Sequence, residues 1–409
     1  MNSLKKISQQ TIWQLIGKVI SAGSTFIILG IVARSYGESG TGIFTLALAY
    51  IAIFFQFADF GFNAHLLGKL HGDEENLQLE WRQLLGVRLV LSLILTLFAI
   101  TLLPLWSFTT PELTTAIIFG SLAIVGSAVF LTTNLVFQGK LSYERSVISS
   151  SVGTLISLGL VAWFTYLKLP VAALVFAQSL GWIILALISL VLLRKFIKRI
   201  WPVFNLEYSL DLLKNSWPIA LTLAFNVIYF RADAFMIAFF RNSAEVGIYN
   251  VAYQVFQTAL VLPAFIMNSY YPLLLSALNK STTLFSKQVK LAAFSLLILS
   301  IVSTVVTYLF APTIITLLTG GGFNGSVESL QILSLGFPAY FVTALLIWVL
   351  VAKKEYKLML LIYLIGGIFN LATNYFFIPQ SSFIAASWIT VVSEYLILTL
   401  QLVSLFWIL

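Results

Sequence analysis

Twelve apolar segments, each long enough to cross a bilayer as a helix, take up nearly the whole chain. A helix needs about 20 consecutive apolar residues to span the hydrocarbon core of a membrane. Breaks at charged residues, Gly and Pro place the segments near residues 12–34, 41–66, 84–103, 113–137, 147–167, 170–193, 217–240, 246–276, 288–311, 328–351, 357–378 and 383–407. We therefore predict an all-α integral membrane protein with twelve transmembrane helices.

The composition supports this fold class and argues against a nucleic-acid partner. Only 9% of the 409 residues are charged and 60% are hydrophobic, whereas soluble domains contain about 25% charged residues. The net charge of +8 does not form a basic domain, because the Lys and Arg residues lie in short connections between the apolar segments. Nucleic acid is therefore not expected as a partner.

The positions of the basic residues predict the orientation in the membrane. Most of the 23 Lys and Arg residues, Arg88 among them, fall in connections on one side when the spans are threaded alternately. Cytoplasmic connections carry the excess of basic residues. Both termini are then cytoplasmic, because the number of spans is even. Within the cytoplasmic connection 194–216, residues 206–214 are apolar at helical spacing, which predicts a short helix on the membrane surface.

An internal repeat relates the two halves of the chain. Residues 31–47 are similar to residues 236–252, so that Gly42 matches Gly247 and Ala47 matches Ala252. The two stretches join spans 1–2 and spans 7–8, which are six spans apart. Repeats of an even number of spans are parallel, about an axis along the membrane normal. We predict two six-helix bundles, residues 1–200 and 201–409, around a central polar cleft that opens to alternate sides.

Five charged side chains fall inside the predicted spans: Lys18, Asp59, Arg231, Asp233 and Glu394. A charge at the bilayer centre costs about 2.5–3.5 kcal/mol, so such residues face a bundle interior or a water-filled cavity. Lys18 lies near one end of its span, where its side chain has the alternative of reaching the interface. Arg231 and Asp233 are two residues apart and point to different faces, so Arg231 is expected to pair with Asp59, Glu394 or a bound phosphate. A polar interior favours a transporter.

Uncharged polar residues continue these faces at helical spacing. Ser21 follows Lys18 in span 1, Asn226 precedes Asp233 in span 7, and Gln257 lies in span 8. Residues of this kind line cavities, but they also join helices to each other through hydrogen bonds. The sequence leaves both interpretations open for them.

Signatures of catalysis do not stand out in the sequence. No Gly-rich loop followed by Lys-Ser/Thr is present, so ATP hydrolysis is not expected. The group His71, Asp73, Glu74 and Glu75 is crowded into one connection and is interpreted as a solvated turn rather than a metal site. We predict no catalytic residue, no metal and no cofactor, and the chain is not expected to be an enzyme.

Several loose motifs follow one another in an order that resembles a known family. They are Ile31 to Phe62 with its ending Asp59-Phe60-Gly61, Leu212 to Pro218, Arg231-Ala232-Asp233, Asn370 to Asn374, and Ser393-Glu394. In this order they resemble the polysaccharide transporters, or Wzx-type flippases, of the MOP superfamily, which also contains the MATE exporters. The chain departs from the family near residues 381–384, where Ser381 and Ser382 stand in place of glycines.

The resemblance implies a carrier of the bacterial cytoplasmic (inner) membrane that moves a polyprenyl-diphosphate-linked oligosaccharide from the cytoplasmic to the outer leaflet. Such a carrier would serve cell-surface polysaccharide or O-antigen export, alongside a polymerase and glycosyltransferases. A diphosphate needs cations, so the candidates for headgroup binding are Lys18, Arg231, Ser21, Asn226 and Gln257. The candidates for binding a coupling proton or Na⁺ are Asp59, Asp233 and Glu394.

Two other functions fit parts of the sequence. A MATE-like, cation-coupled exporter of small molecules or drugs would have a similar bundle with a different cargo. A membrane glycosyltransferase or polymerase would need catalytic residues on a substantial outer loop, and the predicted outer loops are short. The enzyme is therefore the less favoured of the two.

Overall fold

A computed structural model describes residues 3–66 and 74–408, except for the side chains of residues 3–9, 64, 65, 74, 75, 222, 224–229 and 406–408. Within these ranges every regular element is a helix. The helices are α1 (Ser3–Asp59), α2 (Phe62–Leu66), α3 (Glu74–Thr101), α4 (Pro111–Gly139), α5 (Tyr143–Tyr166), α6 (Val171–Leu193), α7 (Leu206–Phe240), α8 (Ser243–Ala259), α9 (Val261–Lys280), α10 (Thr282–Thr319), α11 (Asn324–Ser334), α12 (Phe337–Ala352) and α13 (Tyr356–Ile408), with a 3₁₀ turn at Leu103–Leu105.

Breaks inside the longest helices explain how these elements give twelve spans. Helix α1 has 57 residues and α13 has 53, far more than one bilayer crossing requires. Each consists of two helices joined at a single non-helical residue, Gly37 in α1 and Ser382 in α13. Conversely, two pairs of helices each form one span: α8 continues into α9, and α11 continues into α12 with a bend of 47°. The prediction of twelve transmembrane helices is confirmed.

By length and composition, eight of the described helices can cross a membrane, or nine if the bent pair α11–α12 is one span. This number counts α1 and α13 once each, although each holds two of the predicted spans.

Two starts differ from the sequence prediction. Helix α3 begins ten residues before the predicted position 84. The predicted surface helix 206–214 is wrong, because these residues are the first turns of the continuous helix α7.

The chain divides into two compact units, Met1–Arg231 and Ala232–Leu409. Helices α1–α6 and most of α7 belong to the first unit, and the end of α7 with α8–α13 belongs to the second. The division into bundles 1–200 and 201–409 stays a prediction. The repeat has a structural counterpart: Gly37 breaks α1, and Asn242, 205 residues later, caps α8 by accepting a hydrogen bond from Glu245 N.

In the first unit, α5 and α6 pack closely through small residues. A Cβ added to Gly153 would lie 2.5 Å from Leu185 Cβ and 2.7 Å from the carbonyl oxygen of Gly181. A Cβ added to Gly181 would lie 2.6 Å from Ser157 Cβ. Small residues at helix interfaces let backbones approach closely, and this packing drives association where lipid offers no hydrophobic force.

This contact gives a testable prediction for Gly153. We expect Gly153→Leu to destabilise the first unit by about 1–3 kcal/mol, because the larger side chain would force α5 away from α6. The matched control is Gly159→Leu on the same helix, since nothing lies within 4 Å of a Cβ added there. Thermal unfolding of both variants in detergent measures the difference. Equal melting temperatures for the two variants would contradict the close contact.

The break in α13 lies at a residue that is not glycine. Ser382 has φ 48° and ψ −131°, a conformation that costs a non-glycine residue about 1–3 kcal/mol. It is one of the serines that replace glycines in the family resemblance. The strain is therefore a property of this chain, and glycine would relieve it.

We expect Ser382→Gly to raise the stability of the second unit by about 1 kcal/mol, because the relieved strain exceeds the entropy that glycine gains in the unfolded chain. The neighbouring Ser381 is helical, so Ser381→Gly is expected to lower stability by about 0.5–1 kcal/mol. Melting temperatures of the two variants decide the prediction. A fall for Ser382→Gly as large as that for Ser381→Gly would show that the break is not strained.

Candidate functional site

Each unit encloses a cluster of polar side chains around buried charge. In the first unit, Arg88 of α3 is fully buried and forms an ion pair of 2.8 Å with Asp59, whose side chain is 22% exposed. Arg88 Nη2 also donates to Asn63 Oδ1 at 3.0 Å, and Nη1 donates to Thr132 Oγ1 at 3.3 Å. The guanidinium lies over the ring of Phe62, 5.5 Å from its centroid. One cation therefore joins the end of α1 to α2, α3 and α4.

A tight turn after α1 positions this cluster. Phe60 and Gly61 both have positive φ values, 49° and 73°. A Cβ on Gly61 would lie 2.4 Å from Ile219 Cγ2, so glycine is required there both by the backbone and by the approach of α7. The turn places Asp59 at the end of one helix and Asn63 on the next, on either side of Arg88.

Sequence reasoning missed Arg88. Counting Arg88 with a cytoplasmic connection, and Lys18 and Arg231 as the only cations within spans, is wrong, because Arg88 lies inside the predicted span 84–103 and inside helix α3. The signal is a helical spacing: Leu77, Trp81, Leu84 and Arg88 follow at steps of four, three and four, and all are buried. Because Arg88 continues the buried face of α3, it belongs inside the helix.

The second cluster surrounds Asp233, on the part of α7 that belongs to the second unit. Asp233 is 5% exposed. Its Oδ2 accepts hydrogen bonds from Tyr249 Oη at 2.7 Å and Thr390 Oγ1 at 3.0 Å, and its Oδ1 accepts one from Asn374 Nδ2 at 2.7 Å. These partners come from α8 and from both parts of α13. All three are neutral, and among the described residues no Lys or Arg forms an ion pair with Asp233.

The hydroxyl groups of this cluster can serve either protonation state of Asp233. Thr390 Oγ1 lies 2.8 Å from the carbonyl oxygen of Ala386 as well as near Asp233, and 3.2 Å from Tyr249 Oη. One hydroxyl has one proton, so Thr390 donates either to the carboxylate or to Ala386. When Thr390 donates to Ala386, a protonated Asp233 can donate to Thr390. Hydroxyl rotation alone therefore provides hydrogen-bond partners for Asp233 in either protonation state.

Amide side chains extend the cluster along α13. Asn374 Nδ2 also donates to Asn370 Oδ1 at 3.0 Å, and Asn370 Nδ2 donates to Ser393 Oγ at 3.2 Å. Asn374 Oδ1 is buried and has no hydrogen-bond partner among the residues that the structure describes. An unpaired buried acceptor costs about 1–3 kcal/mol. A cation or a hydrogen-bond donor that binds this oxygen would remove that cost.

Glu394 lies one helical turn beyond Thr390 on α13. It is 4% exposed, and its Oε1 contacts Thr343 Oγ1 of α12. Thr343 Oγ1 is also 3.1 Å from the carbonyl oxygen of Tyr340. Among the described side chains, this buried carboxyl group thus has one hydrogen-bond partner, a neutral hydroxyl group.

The remaining predicted site residues are distributed as follows. Lys18 and Ser21 are exposed on α1, whereas Gln257 and Arg231 are half-buried. Asn226 lies in α7, but its side chain is outside the described residues. The pairing expected for Arg231 is not found, because Asp59 pairs with Arg88 and Glu394 contacts Thr343. In the described part of the chain, no group of three or more His, Cys, Asp or Glu residues is arranged to hold a metal ion.

A multi-pass helical membrane protein that encloses charged side chains among its spans has the architecture of a transporter. The chain belongs to the polysaccharide biosynthesis protein family, whose model matches residues 7–278. The MatE model matches residues 218–376. The proteins that this chain resembles are named as transporters and flippases, not as enzymes.

One curated relative is similar over most of its length. A protein of Shigella dysenteriae that is named provisionally as an O-antigen transporter is 27% identical over 258 residues, which are 62% of this chain. The match spans 63% of the length of that relative.

Solved structures show the same fold. The lipid II flippase MurJ in an inward closed conformation superposes with a TM-score of 0.79 at 14% identity, covering 97% of this chain and 87% of MurJ. An inward-facing multidrug resistance MATE family transporter of the MOP superfamily gives a TM-score of 0.73 at 14% identity, covering 97% of both chains. The predicted MATE-like fold class is confirmed.

Proposed function

We propose that the protein flips a polyprenyl-diphosphate-linked oligosaccharide from the cytoplasmic to the outer leaflet of a bacterial inner membrane, with both termini in the cytoplasm. The observation that carries this proposal is the family match across residues 7–278, which covers the first unit and the start of the second. The similarity to a protein named as an O-antigen transporter supports the same cargo class. Polymerases and glycosyltransferases of the same export route are the proposed partners.

Arg231 is the proposed anchor for the diphosphate. It is half-buried, and the structure records no ion pair between it and a described carboxylate. Arg88 is a poor alternative, because Asp59 already neutralises it and its side chain is fully buried. Guanidinium groups bind phosphate oxygens through paired hydrogen bonds. Lys18, Ser21, Asn226 and Gln257 are the other residues proposed to bind the headgroup.

The coupling ion is proposed to bind in the second unit. Asp233 and Glu394 are buried carboxyl groups with neutral partners, and buried carboxylates in membrane transporters commonly bind protons or cations. A proton fits the hydroxyl arrangement at Asp233, and Na⁺ fits its oxygen-rich surroundings. Asp59 is the weakest of the three predicted candidates, because its charge is already balanced by Arg88. Alternating access of the two units is the proposed transport mechanism.

The experiment that tests this function is headgroup translocation in proteoliposomes. An undecaprenyl-diphosphate oligosaccharide is supplied, and its headgroup is detected with an enzyme that reaches only one leaflet. We expect Arg231→Ala to lower the flipping rate about tenfold or more, since a hydrogen bond to a charged group contributes about 1.5–3 kcal/mol. Arg231→Lys should retain part of the rate.

The matched control is Arg241→Ala, at the end of the same helix. Arg241 pairs with Glu245 at 3.0 Å and its side chain is 38% exposed, so its loss should leave flipping unchanged. Equal flipping by the wild type and Arg231→Ala would reject the anchor but keep the function. Absence of flipping by folded wild-type protein, across several glycans, would reject the cargo.

A MATE-like exporter of small molecules is the second candidate function. The MatE model matches residues 218–376, which contain Asp233, Tyr249 and Asn374 of the second cluster. This function predicts ethidium efflux from cells that express the protein, driven by a proton or Na⁺ gradient. Efflux that is abolished by Asp233→Asn, together with no flipping, would favour the exporter.

A further inference from the structure

The linker between α6 and α7, residues 194–205, is held against α3 by backbone hydrogen bonds. Gln78 Oε1 accepts from both Lys198 N at 3.1 Å and Arg199 N at 3.2 Å. Between the linker's basic residues, Ile197 is fully buried, and Phe196 packs beside it against the cluster around Trp81. The linker is therefore a fixed part of the first unit.

The second half of the linker is fixed in the same way. Arg82 Nε donates to the carbonyl oxygen of Trp201 at 2.8 Å, and Val203 N donates to the carbonyl oxygen of Arg82 at 3.0 Å. A Cβ on Gly86 would lie 2.3 Å from the carbonyl oxygen of Val203, so the linker backbone runs directly over α3. Because this backbone is fixed, the side chains that point outward have defined positions.

Four cations point outward from this fixed backbone. Arg194 and Lys195 precede the buried anchor Ile197, and Lys198 and Arg199 follow it; all four side chains are exposed. No acidic residue lies within the linker, and the next acidic residues along the chain are Glu207 and Asp211 of α7. We call Arg194, Lys195, Lys198 and Arg199 the basic cluster. It presents a concentrated positive charge on one short segment.

An apolar surface adjoins the basic cluster. Trp201 is 78% exposed although its carbonyl group is hydrogen-bonded, and Leu206, Leu210 and Trp217 on α7 are 62%, 59% and 53% exposed. The steps of four and seven residues put the three α7 side chains on one helix face. Exposed Trp residues at the end of an apolar helix face are typical of the membrane–water interface. This pattern favours a position of the cations at the depth of lipid headgroups.

We propose that the basic cluster and Trp201 form a binding site for anionic phospholipid headgroups. The cations would contact the phosphate groups, the indole would lie at the headgroup level, and the acyl chains would run along Leu206, Leu210 and Trp217. Clusters of Lys and Arg beside a transmembrane helix attract anionic lipids with about 1 kcal/mol per residue, or about fivefold in affinity. The proposal rests on the proposed topology, which places the linker in the cytoplasm, but not on the cargo.

The apolar surface decides between a lipid and an acidic protein as the occupant. A soluble acidic partner would meet the cations, but it would leave the four large apolar side chains in contact with water or lipid. A phospholipid satisfies both surfaces at once, because its charge and its chains are joined in one molecule. The lipid is therefore the occupant that fits the whole surface.

Native mass spectrometry of the detergent-purified protein tests the proposal. The protein is mixed with equal amounts of phosphatidylglycerol and phosphatidylcholine, and the ratio of the two bound lipids is measured. We expect the wild type to prefer phosphatidylglycerol. A variant with all four cluster residues changed to Gln should lose this preference at least tenfold, and the pairs Arg194→Gln/Lys195→Gln and Lys198→Gln/Arg199→Gln should each lose part of it.

Two comparisons make the test specific. Lys287→Gln/Lys290→Gln removes two exposed cations from α10 and should leave the preference unchanged. The variant Arg194→Lys/Arg199→Lys keeps the charge and should keep the preference for phosphatidylglycerol. If the fourfold variant does not fold, this variant and the two pairs of Gln substitutions still test the proposal. An unchanged preference in both pairs of Gln variants would overturn the proposal, as would an equal loss in the α10 control. Capture of an acidic protein without lipid preference would also overturn it. Flipping is assayed separately, so failure of the lipid site leaves the transport function standing.

Discussion

Replacing Arg88 with Met is expected to destabilise the first unit by about 3 kcal/mol. Removal of one partner of a buried ion pair costs about 3–5 kcal/mol, because the other charge stays buried without compensation. Asp59 retains 22% exposure of its side chain, so we expect the lower end of this range. The same change also leaves Asn63 and Thr132 without their donor. The yield of monodisperse protein and its melting temperature in detergent measure the effect.

A second substitution separates the charge from the packing of the Arg88 side chain. Asp59→Asn in the Arg88→Met background removes the uncompensated anion, and we expect it to recover at least half of the lost stability. Asp59→Asn alone leaves the buried guanidinium without its counter-charge and should be destabilising as well. Additive effects of the two changes would mean that the pair does not stabilise the fold through its charge.

Asp233→Asn is expected to separate transport from folding. The amide can rotate so that its oxygen accepts from Asn374 while its NH₂ group donates to Tyr249 or Thr390, whose hydroxyl protons then turn elsewhere. Thr390 already has Ala386 O as an acceptor at 2.8 Å. The folded yield should therefore remain within about twofold of the wild type, but the site can no longer bind a proton or carry a charge.

The corresponding transport measurement uses an imposed ion gradient. Gradient-driven flipping in proteoliposomes should fall about tenfold or more in Asp233→Asn, with proton and Na⁺ gradients applied in separate experiments to identify the ion. Glu245→Gln is the control, because Glu245 pairs with Arg241 at the exposed start of α8. Full gradient-driven flipping by Asp233→Asn would leave Asp233 with a structural role alone.

The spans could be predicted from the sequence because apolar length is a local property. Each predicted segment overlaps a helix, and the limits agree within a few residues for most of them. The starts of α7 and α3 are exceptions, and the reason is visible in α3. Its first turns carry Glu80 and Arg82 on the outer side, which lowers the average hydropathy, while Trp81 and Leu84 are buried on the inner side. An average hides this difference between faces, and for the same reason Arg88 is counted with the polar connection although it lies within the predicted span 84–103.

The partners of the buried charges could not be predicted in the same way. Asp59, Asp233 and Glu394 were identified as shielded carboxyl groups because a charge inside an apolar segment is visible locally. Their partners depend on which helices are neighbours, and a single sequence carries no information on that. Thr390 lies four residues before Glu394, on the same helix face, yet nothing in this spacing indicates that it contacts Asp233 rather than another span.

The Asp233 cluster also has a consequence for the synthesis of the protein. The partners Asn374 and Thr390 follow Asp233 by 141 and 157 residues. At about 5–20 residues per second, α7 waits roughly 7–30 s after translation before both partners leave the ribosome. Arg88, by contrast, follows Asp59 by 29 residues. Until α13 arrives, Tyr249 can donate to the carboxyl group of Asp233 but Asn374 and Thr390 cannot, so we expect nascent chains that end before residue 374 to be degraded faster than the full chain.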